Sequence, residues 1–477
     1  MAVKKLDAAP SRRAVAAGIA ATLVYSPGMA RAQPPTSATL QGGAWRTLAA
    51  APAKARLLPE PAPETDVWAF DGKVPGPVIR VRHGDEVRVR LLNQTERPLS
   101  LHWHGVRNVN AMDGVGGLTQ EPVAPGKSFD YRFTPPDHGT FLVRPLVIGG
   151  SSEPAGRGLS ALLIVDERKP AKVDDDIALI VDDWRLGEDG ALAPFGTVAE
   201  ASTSGRLGNR LTINAKGAPE AIEAAPGSRI RLRLANACNA RSMRIRFDDM
   251  KVYVAAIDGQ PTDTFEPLRS TLPFSPGSRY DLLLDMPSEA GSAGSIVALL
   301  GQTPQGTPLV TLAASGERAS RPALPPIAPL PENKVLPPEV RLQNAARRTL
   351  IISGGATREL DGKLVFKGDP ARIWTINGAS GAAGSPPLLS VKRGSPVVLA
   401  ITNQTPTIQP IHLHGHVFRL LHARDDGWEP YWLDTLQVPE NKTVQIAFIA
   451  DNLGQWALSS TVLERFDTGL WTWFEVT

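Results

Sequence analysis

The chain has 477 residues, 42% hydrophobic and 21% charged, with 43 glycines, 43 prolines and a formal net charge of +3. That length exceeds one hydrophobic core, and so many turn formers favour short strands over long helices. The charge excludes a nucleic-acid role: five basic residues and one aspartate fall in residues 1–32, the remainder has a formal charge of −1, and phosphate recognition needs a concentrated basic face.

Residues 1–32 begin with Lys4 and Lys5, continue through an apolar run at 14–25 and end in the small-residue site "ARA". This pattern predicts an export signal, too short in its apolar part to span a bilayer. Arg12 and Arg13 behind Ser11 resemble the twin-arginine type, which carries folded proteins, so a periplasmic location is expected. No later run reaches about 18 apolar residues, and no transmembrane segment is predicted in the mature chain.

From Gly84, "GDEVRVRLLN" alternates Val87, Val89 and Leu91 with Arg88 and Arg90 and ends at Asn93. From Gly227, "GSRIRLRLAN" repeats the offsets with Ile230, Leu232 and Leu234, and from Gly394 "GSPVVLAITN" does so with Val397, Leu399 and Ile401. Strict alternation predicts a half-buried strand, and three in one register predict three related domains. A second strand recurs as "SFDYRF", "RYDLLL" and "TVQIAF". The fold class is therefore all-β, with antiparallel sandwiches at 33–167, 168–316 and 348–477. The proline-rich stretch 317–347 reads as a stiff extended linker outside any core.

His102 and His104 lie 18 and 20 residues after Gly84, and His412 and His414 lie at the same offsets after Gly394. The middle repeat has Ile245 and Phe247 there. Histidines two apart on a strand share a face, so each pair can reach one metal, and imidazole suits copper, zinc or iron. Cys238, the only cysteine, falls outside this register and reads as a small buried apolar residue.

The stretches "LHWHG", "DGVGGLTQEPVAPG" and "QPIHLHGHVF" resemble those of the laccase-like multicopper oxidases. The resemblance implies three cupredoxin-like Greek-key β-sandwich domains, with the first and third enclosing a trinuclear copper site. It makes His102 and His412 type 2 ligands, and His104 and His414 type 3 ligands. The family's other ligand positions hold different residues: Arg144 and Leu146 in "GTFLVRPLV", and Ser459 and Thr461 in "WALSSTVLERFDTGL". At the type 1 positions stand Gln409, Ser460, Arg465 and Leu470. A type 1 copper needs a cysteine thiolate and two imidazoles. The sequence therefore predicts neither a type 1 site nor a full cluster.

Asp113 matches the family acid that assists oxygen reduction, but is read here first as a turn residue before Gly114. Two readings of the four histidines remain open. In one, His102, His104, His412 and His414 hold one or at most two copper ions, giving a copper-binding oxidoreductase or carrier. In the other they are a metal-free polar remnant, hydrogen-bonded to each other, to Asp113 and to trapped water, with Arg144 standing in the gap in place of the metal. That second reading implies a non-catalytic periplasmic scaffold with a protein partner, by analogy with the copper-free SufI/FtsP type of cell-division proteins. His416 reads as a packing residue, and His83, His138 and His422 as surface histidines. Trp428, Tyr431, Trp432, Trp471, Trp473 and Phe474 read as core, with a partner surface as the alternative.

Overall fold

The computed structural model describes residues 38–39, 44–301, 305–318, 324–422 and 427–477. The export signal read in residues 1–32 lies outside them. Among the described residues, strands form six sheets of four to seven strands and one two-stranded ribbon.

The three alternating stretches explain the architecture. Val87–Asn93 pairs parallel to Arg46–Ala55 and antiparallel to Ser128–Phe133. Arg229–Asn236 runs parallel to Asp175–Trp184 and antiparallel to Arg279–Asp285. Ser395–Asn403 does the same with Ala346–Gly354 and Thr443–Ala450. A strand flanked on both sides satisfies its backbone and must still cover its apolar face, which demands a second sheet. Val87, Val89 and Leu91 accordingly pack with Ile79, Phe141 and Leu163 of the facing sheet. Ile230, Leu232 and Leu282 pack with Ile245, Phe274 and Ile296, and Val397, Leu399 and Phe448 with Ile411, Leu413 and Trp456. The result is three β-sandwiches.

The asparagine closing each strand has one role in all three. Asn93, Asn236 and Asn403 are each 0% exposed. Their Nδ2 atoms donate to the carbonyls of Arg97 and Val123, of Arg241 and Phe274, and of Thr407 and Val438. Their Oδ1 atoms accept the amides of Thr95, Cys238 and Thr405. The repeat thus preserves a buried amide tie as well as an apolar face.

Two expectations need correction. Alternation places Arg231 and Arg233 on an open face, yet each is 1% exposed, because that face of the middle sandwich meets the first. Arg231 reaches Glu167 and Asp281, and Arg233 reaches Asp176, Asp281 and Thr140 Oγ1. The proline-rich linker lacks regular structure over 324–345 but does contribute to a core. Leu330, 5% exposed, packs with Ala255, Ala256 and Leu283, and Asn333 Nδ2 donates to Asp137 Oδ1 and Gln260 Oε1, both at 2.8 Å.

Trp432, Trp471 and Phe474 are buried, and Trp473 Nε1 donates to the Ser385 carbonyl at 2.7 Å, which fits the core reading of the late aromatics. Among the described residues no helix is long and apolar enough to cross a membrane.

Candidate metal centre

Leu101–His104 is the edge strand of its sheet and pairs with Gly139–Pro145. Gln409–Leu413 lies between Thr435–Val438 and Gly454–Ser460, and His414 follows it directly. Gly105 and Gly415, with φ of +93° and +67°, turn the chain away immediately after each His-x-His pair. The two pairs meet between the first and third sandwiches. Ring centroids are 3.7 Å apart for His104 and His412, 4.2 Å for His102 and His414, and 4.6 Å for His412 and His414. All four rings are buried.

Hydrogen bonds decide which ring nitrogens are free to ligate. His102 Nδ1 lies 2.8 Å from the Asp113 carbonyl oxygen and His412 Nδ1 lies 3.0 Å from that of Asp434. A carbonyl only accepts, so both Nδ1 atoms carry a proton, and a neutral ring in this tautomer has its lone pair on Nε2. Those two Nε2 atoms, and His104 Nδ1, are buried without a protein partner. His104 Nε2 meets Thr435 Oγ1 at 3.0 Å. His414 is fully engaged, with Nδ1 donating to Asp113 Oδ2 and Nε2 accepting from Ser459 Oγ, both at 3.0 Å. The expectation of imidazoles bonded to one another is thus corrected: among the described residues His104 and His412 stack, the other ring pairs are tilted or edge-on, and the hydrogen-bond partners are carbonyls, hydroxyls and Asp113.

One ligand atom from each of His102, His104 and His412 lies within 4.8 Å of the other two, and the same holds for His102, Asp113 and His414. Burial first, then neighbouring charge, holds His102, His104 and His414 well below the usual histidine range. Neutral imidazoles with unpartnered lone pairs and carbonyl-anchored backs are the donor set a late first-row ion takes.

Asp113 belongs to this site, contrary to the turn-only reading. It does end a turn, the 3-10 helix Asn110–Met112. Gly114 follows with φ +81°, and a Cβ there would overlap the Leu101 carbonyl. Glycine lets the loop press against the histidine strand, and that contact brings the Asp113 carbonyl to His102 and its carboxylate to His414.

Arg144 stands directly across from His102 on the neighbouring strand and therefore on the same face. It is 3% exposed and lies 3.5 Å from the Thr461 carbonyl through Nη1. Burial, with Arg279 adding repulsion, pulls its guanidinium down to about 10. Its charge also opposes protonation of His104 and His414.

Gln409, Ser460, Arg465 and Leu470 converge as the resemblance implies. Arg465 Nη1 donates to Gln409 Oε1 at 2.6 Å and to the Ile408 carbonyl at 2.8 Å, Nη2 donates to the Thr203 carbonyl at 3.0 Å, and the guanidinium lies 4.9 Å from the Trp374 ring centroid. The Ser460 amide donates to the Leu470 carbonyl at 2.9 Å. Cys238 is buried in the middle sandwich core. His416 packs among Phe448, Trp456 and Phe474, as expected, while His83 and His138 are half-buried rather than on the surface.

Sequence reasoning missed Asp434, Thr435, Arg279 and Asp258. Arg279, 0% exposed, donates from Nη2 to Asp434 Oδ2 at 2.6 Å, and Asp258 Oδ2 accepts the amides of Asp434 and Thr435. The middle sandwich, which carries no ligand histidine, thus grips the segment behind His412. Burial alone would raise the Asp434 carboxyl, but Arg279 and His412 hold it well below the usual carboxylate range. No periodicity marks these residues, and their roles arise only where the domains meet.

Three β-sandwiches with two His-x-His strands facing each other between the first and third define a copper-protein class. Models described as multicopper oxidase match residues 53–170, 178–308 and 359–477. The chain is similar to the multicopper oxidase MmcO of Mycobacterium tuberculosis, at 28% identity over 85% of this chain and 83% of that protein. It is also similar to the crystal structure of a multi-copper oxidase from Pseudomonas thermotolerans, with 30% identity, a TM-score of 0.79, and coverage of 93% of this chain and 100% of that one. Lac15 from a marine microbial metagenome matches at 30% identity and a TM-score of 0.72, over 91% of this chain and 100% of its own. The chain belongs to the multicopper oxidase family.

Family membership implies copper. The orphaned Nε2 atoms of His102 and His412 are where these residues fit it.

Proposed function

We propose that this chain is an exported multicopper-oxidase-like protein that holds a single copper between its outer sandwiches and does not carry out four-electron reduction of dioxygen. The observation that carries the reading is the pair of buried, unpartnered Nε2 atoms of His102 and His412, each preset by an Nδ1–H bond to a backbone carbonyl. His104, whose Nδ1 is also buried without a partner, completes the group. A copper bound there would supply a one-electron couple. The chain's own residues orient the imidazoles through Asp113, Asp434 and Thr435, and exclude bulk water by burial.

Electron entry is what the reading denies. A type 1 centre takes its electron through a cysteine thiolate, and Gln409 with Arg465 forms a hydrogen bond where that centre would stand. Arg144, Leu146, Ser459 and Thr461 replace imidazoles at four more positions. A fixed guanidinium within a few Å also repels a second cation.

Metal analysis and titration with Cu(II) test the proposal. One copper per chain is expected, with affinity falling more than about 100-fold in the His102→Ala/His412→Ala double variant. No thiolate-to-copper absorbance and no dioxygen uptake with phenols are expected. A chain that takes up no copper would return the function to a metal-free periplasmic scaffold with a protein partner. Several coppers together with dioxygen consumption would overturn both readings.

A further inference from the structure

Among the described residues, every buried arginine but one meets an acid or a set of acceptors in direct contact. Arg107 pairs with Asp137, Arg231 with Glu167 and Asp281, Arg233 with Asp176 and Asp281, and Arg279 with Asp434. Arg465 has no ion pair among the described residues but spends its donors on three oxygens, those of Ile408, Gln409 and Thr203. Arg144 has neither. Among the described residues it makes no ion pair, its only hydrogen bond is the 3.5 Å contact to the Thr461 carbonyl, and its Nε has no partner.

A buried guanidinium is unfavourable unless an anion or a set of acceptors meets it. Two acids, Glu464 and Asp182, act on Arg144 electrostatically, but among the described residues neither makes an ion pair or hydrogen bond with it. Thr461 Oγ1 is buried without a partner, as are His102 Nε2, His104 Nδ1 and His412 Nε2. Asp113 meets His414 through Oδ2 and keeps Oδ1 without a partner, and Asp434 already serves Arg279. Adding copper to neutral imidazoles would place a second positive charge beside the first.

We propose that Arg144 and Thr461 form a subsite for a small inorganic monoanion, shared between the guanidinium and the copper. This rests on the single-copper reading above. The anion would accept from the Arg144 guanidinium and from the Thr461 hydroxyl, and would meet a copper held by the three imidazoles. Its charge offsets the repulsion between guanidinium and metal. Both residues are shut off from bulk water, Arg144 being 3% and Thr461 1% exposed.

Azide is the probe. The protein loaded with one equivalent of Cu(II) is titrated with azide and followed by the azide-to-copper absorbance band and by electron paramagnetic resonance. Azide affinity is expected to fall about tenfold or more in Arg144→Gln, where a charge-assisted donor is lost, and to be partly retained in Arg144→Lys. Removing an unpaired buried cation is expected to leave the fold intact, and Thr461→Val, of similar shape, gives an independent test with a smaller loss. Copper binding with azide affinity unchanged in Arg144→Gln and Thr461→Val overturns the subsite alone. Failure of the wild type to bind copper overturns the proposed function and the subsite with it.

Discussion

At Gly105 the absence of one methyl group allows the middle sandwich to reach the histidines. Its φ is +93°, and a Cβ there would overlap the Arg279 guanidinium and the Asp434 carboxylate. Gly105→Ala therefore strains the backbone and separates a fully buried ion pair, a loss of about 3 kcal/mol or more. Gly126 also has positive φ, +75°, but has nothing within 4 Å of a built Cβ, so Gly126→Ala should cost about 1 kcal/mol. Urea midpoints at unchanged m-value separate the two. Similar losses in both variants would show that the Arg279–Asp434 contact does not depend on Gly105.

At the scale of elements, Arg229–Asn236 behaves differently from its two counterparts. Its apolar side matches theirs, but its arginine side meets Gly139–Pro145 and neighbouring segments of the first sandwich. Asp281 on Arg279–Asp285 is central to that contact, accepting from Arg231, from Arg233 Nη1 at 3.1 Å and from Thr140 Oγ1 at 2.7 Å. Asp281→Ala leaves two buried guanidiniums sharing Glu167 and Asp176, and should cost about 3–5 kcal/mol. Replacing Asp130, exposed and paired with Arg90, should cost less than about 1 kcal/mol. Thermal unfolding of the two variants checks the contrast, and equal shifts would remove the buried network as a determinant of domain docking.

For the whole molecule, the interdomain acids set an acid limit on stability. Burial alone would raise Asp137, Glu167, Asp176 and Asp281, but their arginine partners outweigh it and hold all four below the usual carboxylate range. Each is more acidic folded than unfolded. It contributes stability above an unfolded value of about 4 and loses that contribution as pH falls through its depressed folded value. The melting temperature of the metal-free protein should therefore drop steeply below about pH 4. The drop should be shallower in Asp281→Asn, and an identical acid limb in that variant would refute the assignment.

The three alternating stretches and the closing asparagines made the all-β, three-sandwich fold legible, because an apolar face at period 2 has one way to be covered. The offsets of His102, His104, His412 and His414 made their meeting at one buried place legible for a similar reason, since a strand fixes which side chains share a face. Tertiary structure decided the rest. The lone pairs available to a metal depend on the carbonyls of Asp113 and Asp434, which reach the rings through a glycine-tightened loop and a neighbouring strand. The burial of Arg231 and the grip of Arg279 on Asp434 depend on acids from other sandwiches. Periodicity records which face a residue occupies, whereas charge compensation and tautomer depend on what packs against that face, often hundreds of residues away.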